Sequence, residues 1–171
     1  MNTNRWKPIV SWALSLLLTF LVIYVVRTKV LLIAHIPTDS MATTLNVGDE
    51  VICFNTYFYN GLKRGDIVVF KPNTGEKELW VKRIIGVPGD KIQIDNGIVY
   101  VNGEKLEEDY TSSLVKYTGS FAVPEDKYFL LGDNRAVSQD ARFWINPFID
   151  KSDILYKDAI KIYPFNEIKL L

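Results

Sequence analysis

Two residues of complementary chemistry organise this chain: Ser40, within Pro37-Thr-Asp-Ser-Met41, and Lys82, within Trp80-Val-Lys-Arg83. A serine hydroxyl is a weak nucleophile and needs a base within hydrogen-bond reach. A lysine amine is such a base only when neutral, and burial favours that form because the ammonium loses its hydration. Lys82 lies between Leu79-Trp-Val81 and Ile84-Ile85, an apolar setting in which one face of a strand is expected to be buried. On its own, however, a strand lysine more often snorkels to water from a sheet edge, and a Ser-Met dipeptide more often caps a turn. The one histidine is His35. A Ser-His-Asp triad would need it on the same short stretch as its nucleophile, whereas a Ser-Lys dyad is a variant of the same nucleophile-plus-base arrangement.

A third constellation is Gly132-Asp-Asn-Arg-Ala-Val-Ser-Gln-Asp-Ala-Arg142. Its opening after an apolar run predicts a tight turn whose charged groups pair among themselves. Ser138, Asp140 and Arg142 alternate, so in an extended segment all three would point to one face. Ser138 would then be available to orient an amine, with Asp140 and Arg142 fixing the loop beneath it.

These residues need elements to hold them. Ile9 to Val26 is apolar apart from Ser11, Ser15 and Thr19. As a helix it rises roughly 27 Å, close to the thickness of a bilayer's hydrocarbon core. A cleaved signal peptide has a shorter apolar core ending at small residues. Here the segment runs into Arg27-Thr-Lys29 and a second apolar run, Val30 to Ile36, which favours an uncleaved anchor. No acidic residue precedes Asp39, so the early basic groups are free to meet lipid phosphates. With basic residues at both ends, charge leaves the orientation open. From Asp49 onward short β-branched and aromatic runs alternate with turns. Strands are predicted at Glu50–Phe54, Asp66–Phe70, Leu79–Ile85, Tyr128–Leu131 and Ala159–Tyr163. A hairpin is predicted from Lys91–Ile94 to Ile98–Val101, reversing at Asn96-Gly97, and Asn102-Gly103 makes a second turn. Residues 104–120 are polar and irregular, a loop excursion. The expected division is residues 1–36 as cytoplasmic stub, anchor and juxtamembrane segment, and 37–171 as a mainly β catalytic domain.

Lys+Arg 20 balances Asp+Glu 20, which favours no nucleic-acid partner. Cys53 is the only cysteine, so the chain has no internal disulfide and cannot build a thiolate zinc site; its expected role is core filler.

Pro37-Thr-Asp-Ser-Met-Ala-Thr-Thr-Leu45, Val81-Lys-Arg-Ile-Ile-Gly-Val-Pro-Gly-Asp90 and Gly132-Asp-Asn-Arg135 with Ser138, Asp140 and Arg142 resemble the conserved boxes of type I signal peptidases. With the preceding anchor, their order and spacing look like the short Gram-positive form, and Lys63-Arg-Gly-Asp-Ile-Val-Val-Phe70 is similar to another box. The resemblance runs from the anchor to Phe165. It implies an N-terminal transmembrane helix and an antiparallel β domain with an exposed apolar surface that partly dips into lipid, on the extracytoplasmic side. It implies that Ser40 is the nucleophile and Lys82 the general base, that Ser138 positions the lysine, and that Asp140 and Arg142 support the loop with Asp133 and Arg83. The family's oxyanion hole uses the nucleophile's own backbone N–H, and Thr38 stands where a serine hydroxyl usually assists. An extended substrate would add as a strand along Ile36, Pro37, Asp39, Trp80 and Val81. The chain departs from the pattern at Thr38, at Asp39, whose carboxylate beside the nucleophile would stabilise a nearby ammonium, at Thr43 in place of proline, and at Ala136-Val137 in place of a more polar pair.

The resemblance implies a membrane-bound serine endopeptidase that removes signal peptides from exported precursors, with no metal or other cofactor. The rival is a signal-peptidase-like assembly factor for pilus or other surface-protein biogenesis, which would bind exported subunits and secretion or assembly partners with weak or no proteolysis; retention of both Ser40 and Lys82 argues against it. A self-cleaving repressor would use a similar β fold, but Met1 to Ile36 cannot supply a DNA-binding domain.

Overall fold

The computed structural model describes residues 6–111 and 115–171. The apolar run forms helix α1, Trp6–Val25, which continues through a π-helical turn, Val26–Val30. Together they are long and apolar enough to cross a membrane, and none of their length is buried inside the protein. The Ser15 and Thr19 hydroxyls within the helix find partners one turn back, Ser15 Oγ donating to Ser11 O at 3.0 Å and Thr19 Oγ1 to Ser15 O at 2.9 Å. A segment surrounded by lipid needs its polar groups satisfied internally in this way.

The chain passes from the π-helical turn directly into strand β1, Leu31–His35. This is the second apolar run, expected to be a juxtamembrane stretch. Instead it pairs antiparallel with β2, Glu50–Asn55, so the sheet begins before residue 37. Its β-branched and leucine side chains gain more from packing beside β2 than a free linker would allow. The other strands are β3 Ile67–Phe70, β4 Trp80–Gly86, β5 Lys91–Asp95, β6 Ile98–Val101, β7 Glu104–Lys105, β8 Gly119–Ala122, β9 Lys127–Leu131, β10 Phe148–Asp150, β11 Ile154–Tyr163 and β12 Lys169–Leu170. The large sheet has the order β1-β2-β11-β3-β4-β9-β10, with β12 also on β11, and the small sheet the order β7-β6-β5-β8. Every pairing is antiparallel. The fold is one N-terminal apolar helix followed by antiparallel β-sheets, as the sequence implied.

Burial follows the side-chain period. In β5 Ile92 and Ile94 are buried while Lys91, Gln93 and Asp95 face water, so that sheet covers one side only. All four residues of β3 are buried, because both faces of the large sheet are covered there. Asn96 (φ 49°) and Gly97 (φ 90°) close the β5–β6 hairpin with two positive φ angles, which Asn and Gly supply at low steric cost. Cys53 is wholly buried beside Ile36, Met41, Leu45 and Val51, the core filler expected. The excursion between β7 and β8 carries no regular element among its described residues.

Candidate active site

Ser40 follows β1 on a segment anchored at both ends. Ile36 donates from its amide to Asp49 O (2.9 Å) and accepts from the Gly48 amide (2.9 Å). After the serine the chain turns, Ala42 N–H donating to Asp39 O (3.1 Å) and Leu45 N–H to Met41 O (2.8 Å). Met41 and Leu45 are buried in the core, so the residue next to Ser40 is held as an apolar peg. Among the described residues the Ser40 amide itself donates to no acceptor.

Lys82 comes from β4, which lies between β3 and β9 and is no edge strand. It pairs with Val68 of β3, while the ladder to β9 begins only at Arg83. The Trp80–Lys82 stretch therefore has one open edge, and the lysine is only 4% exposed. Its Nζ donates to Ser40 Oγ at 2.7 Å and to Val81 O at 3.1 Å. Among the described residues no carboxylate lies within ion-pairing distance of it. Burial pulls the Lys82 pKa down to about 8, against the smaller opposing pull of the Asp140 and Asp133 carboxylates. These, and not Asp39, are the carboxylates that act on the amine: Asp39 is exposed at the cavity.

Thr38 Oγ1 stands 3.3 Å from Ser40 Oγ, its extra methyl leaving the hydroxyl in reach. Ser138 is buried beside this pair, yet among the described residues its Oγ has no hydrogen-bond partner and does not touch the amine. Its segment also differs from expectation. Residues 133–142 form turns rather than an extended strand, with Ser138 N–H donating to Asn134 O (3.1 Å) and Phe143 N–H to Asp140 O (2.8 Å). Asp140 and Arg142 come together because the turn folds one onto the other: Nε–Oδ1 2.8 Å and Nη2–Oδ2 2.9 Å. Asp140 also accepts from the Gly132 amide at 3.1 Å, and Arg142 Nη2 donates to Arg135 O at 3.0 Å. Asp133 takes a two-pronged contact from Arg83, at 2.8 and 2.6 Å, and accepts from Thr44 Oγ1 at 2.5 Å.

Two residues inside the third motif do more than its spacing indicates. The Asn134 amide N–H donates to Ser40 O and its Nδ2 to Asp39 O, each at 3.1 Å, so one side chain and its backbone hold the peptides on both sides of Ser40. At Gly132 a Cβ would fall on Ser138 Oγ and 2.5 Å from Ser40 O, so glycine is what permits the close approach of the two segments. The only sequence signal for either is the Gly-Asp-Asn-Arg string itself.

Ser40 and Lys82 line an open cavity of about 460 Å³ together with Ile36, Pro37, Asp39, Trp80 and Val81, the five residues expected along a substrate. Val137 and Gln139 contribute from the third motif. His35 lines the same cavity but makes no hydrogen bond to Ser40 among the described residues. The arrangement puts a serine hydroxyl, an amine of depressed pKa and an unpaired backbone N–H at one end of an apolar groove flanked by an open strand edge. It has the parts of an acyl-transfer site.

A family model described as "Signal peptidase, peptidase S26" matches residues 9–163. The chain is 35% identical to the "Signal peptidase IB" of Staphylococcus aureus (strain COL), covering 95% of this chain and 94% of that protein. It is 37% identical to the "Signal peptidase I" of Leptolyngbya laminosa, covering 84% and 74% respectively. Among solved structures, a signal peptidase I from Enterococcus faecalis V583 is 28% identical and covers 56% of this chain and 94% of its own, with a TM-score of 0.49.

Proposed function

The chain belongs to the signal peptidase family, peptidase S26, and from that membership we propose a membrane-anchored serine endopeptidase with Ser40 as nucleophile and Lys82 as general base. The coarser part follows from the family: the chain is a protease of signal-peptide-bearing proteins. The finer part rests above all on the 2.7 Å contact between Lys82 Nζ and Ser40 Oγ, made by a buried lysine with no carboxylate partner among the described residues.

At pH 7 an amine of pKa about 8 is neutral in roughly one molecule in ten, against about one in 2,500 for an unperturbed lysine. When Lys82 is charged its N–H donates to Ser40; once neutral, it receives the hydroxyl proton along the same line as Oγ attacks the scissile carbonyl. The Ser40 N–H and the Thr38 hydroxyl are the donors for the oxygen that becomes negative. Collapse breaks the C–N bond, and the lysine passes its proton to the leaving amine. A water deprotonated by the same amine then attacks the acyl carbon and frees Ser40. The precursor lies as a strand against Trp80–Lys82, with small side chains entering the groove beside Ile36 and Val81. Asn134, Asp133, Arg83, Asp140 and Arg142 hold the loop that presents these atoms, and Ser138 packs beneath them.

The catalytic domain of this reading begins at Leu31 rather than residue 37, and α1 carries it on the extracytoplasmic face of a cell membrane, in contact with lipid. The test is to incubate the detergent-solubilised full chain with a precursor whose signal peptide ends in Ala-x-Ala and to sequence the new N-terminus. Wild type should cut after that motif, and Ser40→Ala and Lys82→Ala should each lose cleavage while staying folded. Near-normal turnover in either variant overturns the dyad.

A further inference from the structure

We infer that Glu108 and Tyr110, on the excursion between β7 and β8, are positioning residues for the serine of the proposed site. The inference rests on the Ser40–Lys82 reading and adds the part of the molecule that holds its loop from behind. Glu108 grips Arg135 with both carboxylate oxygens, Nη2–Oε1 2.5 Å and Nη1–Oε2 3.2 Å, the side chains being 9% and 5% exposed. The Tyr110 hydroxyl donates to Glu108 Oε1 at 2.9 Å, and the Tyr110 ring packs under the Arg83 guanidinium with 4.0 Å from carbon to ring centre. Two residues of an irregular segment thus engage both cations that hold Gly132 and Asp133.

The contacts lead onward to Ser40. Arg135 Nε donates to Gly132 O at 3.0 Å, and Gly132 lies against Ser40 O closely enough that no Cβ fits. Arg83 holds Asp133. The next residue, Asn134, donates to Asp39 O from its side chain and to Ser40 O from its backbone. The Asp39 carbonyl and the Ser40 N–H belong to one planar peptide, so the bond that fixes the carbonyl also aims the N–H. A loosened Arg135 lets the 132–135 turn drift, and that peptide drifts with it. The cost falls on the transition state, where the N–H meets a developing charge, more than on binding of the peptide. Arginine suits this work because its planar fork serves a carboxylate on one side and a carbonyl on the other.

The experiment uses the full chain in detergent and one synthetic peptide containing the cleavage site. Glu108→Gln keeps the shape and removes the charge. It should lower kcat about tenfold or more while KM stays within about twofold, because a small misplacement of reacting groups acts on the rate. Tyr110→Phe keeps the ring on Arg83, removes the bond to Glu108 and should give a smaller loss of kcat. In an Asn134→Ala background Glu108→Gln should add little, since the side-chain bond to Asp39 O, through which the turn aims the Ser40 N–H, is already gone. A Glu108→Gln protein with lower thermal midpoint but wild-type kcat would overturn the inference, as would losses that multiply fully with Asn134→Ala. If Glu108→Gln does not fold, Tyr110→Phe decides: unchanged kcat overturns the inference and a selective loss of kcat supports it. Ser40→Ala in the same assay separates the two levels. An active Ser40→Ala sinks the nucleophile assignment, while a dead Ser40→Ala beside a fully active Glu108→Gln sinks only the positioning role.

Discussion

Two lysines are buried in the large sheet, and they differ in their partners. Lys82 in β4 is 4% exposed and Lys161 in β11 is 1% exposed. Lys161 Nζ sits 2.7 Å from Asp49 and 2.6 Å from Glu167. Burial alone would lower its pKa, but the two carboxylates outweigh burial and hold it above the ordinary lysine value. Lys82 has a hydroxyl and a carbonyl as acceptors, its nearest influential carboxylates are occupied by Arg83 and Arg142, and burial wins. Burial leaves a lysine neutral often enough to accept a proton at neutral pH only where the sheet withholds a counter-ion.

Exchanging each lysine for an apolar residue should separate the two roles most widely. Lys82→Ala should lower kcat by about a thousandfold or more, to the level left by groups other than the base. Lys161→Met should leave kcat within about threefold but strand the buried Asp49, costing about 3 kcal/mol and roughly 10 °C of thermal midpoint. Peptide turnover and thermal melts on both proteins measure this, and a Lys161→Met enzyme as inactive as Lys82→Ala would erase the distinction.

The pH dependence is the next largest effect. Catalytic efficiency should fall about tenfold per unit on the acid side of a limb near pH 8, where the Lys82 amine gains its proton. A limb well below that, near 6.5, would count against Lys82 as the base. The stability signs are opposite for the two lysines. The unfolded chain holds the Lys82 proton to about pH 10.4 while the folded chain releases it near 8, so this site's penalty is full below 8 and relieved as pH rises between those values. Lys161, with its folded pKa raised, contributes stability that is full below the unfolded value and lost as pH rises through the folded one.

The smallest effect sharpens which carboxylates matter. Asp133→Asn removes one of the two charges that stabilise the Lys82 ammonium, so the limb should move to lower pH by less than about one unit. Asp39→Asn should leave it in place. A shift with Asp39→Asn and none with Asp133→Asn, read from pH–rate profiles on one peptide, would reverse that assignment.

Much of this was legible in the chain. The long apolar run made the helix, and alternation with turn residues at Asn96-Gly97 made the β5–β6 hairpin, because both depend on near neighbours. Whether the run at 30–36 links or pairs is not legible in sequence, since a short apolar stretch has the same composition either way; β2 decides it. Alternation of Ser138, Asp140 and Arg142 suggested one strand face, whereas hydrogen bonds within the turn brought Asp140 and Arg142 together. Glu108 and Tyr110 carried no signal at all, being polar residues in a polar excursion.

The sequence by itself determined the kinds of group present and their local frames: an apolar helix, short strands, a serine just beyond a second apolar run and a lysine within apolar residues. The tertiary structure decided their chemistry. Whether a buried lysine is base or ion-pair partner depends on which carboxylates the segments flanking β2 and β11 and the 132–142 turn bring to it, and apart from Glu167 beside Lys161 those come from distant parts of the chain. The physical reason is that a pKa records the total of desolvation and nearby charge at one point in space, and neighbours in space are set by strand order rather than by neighbours in sequence.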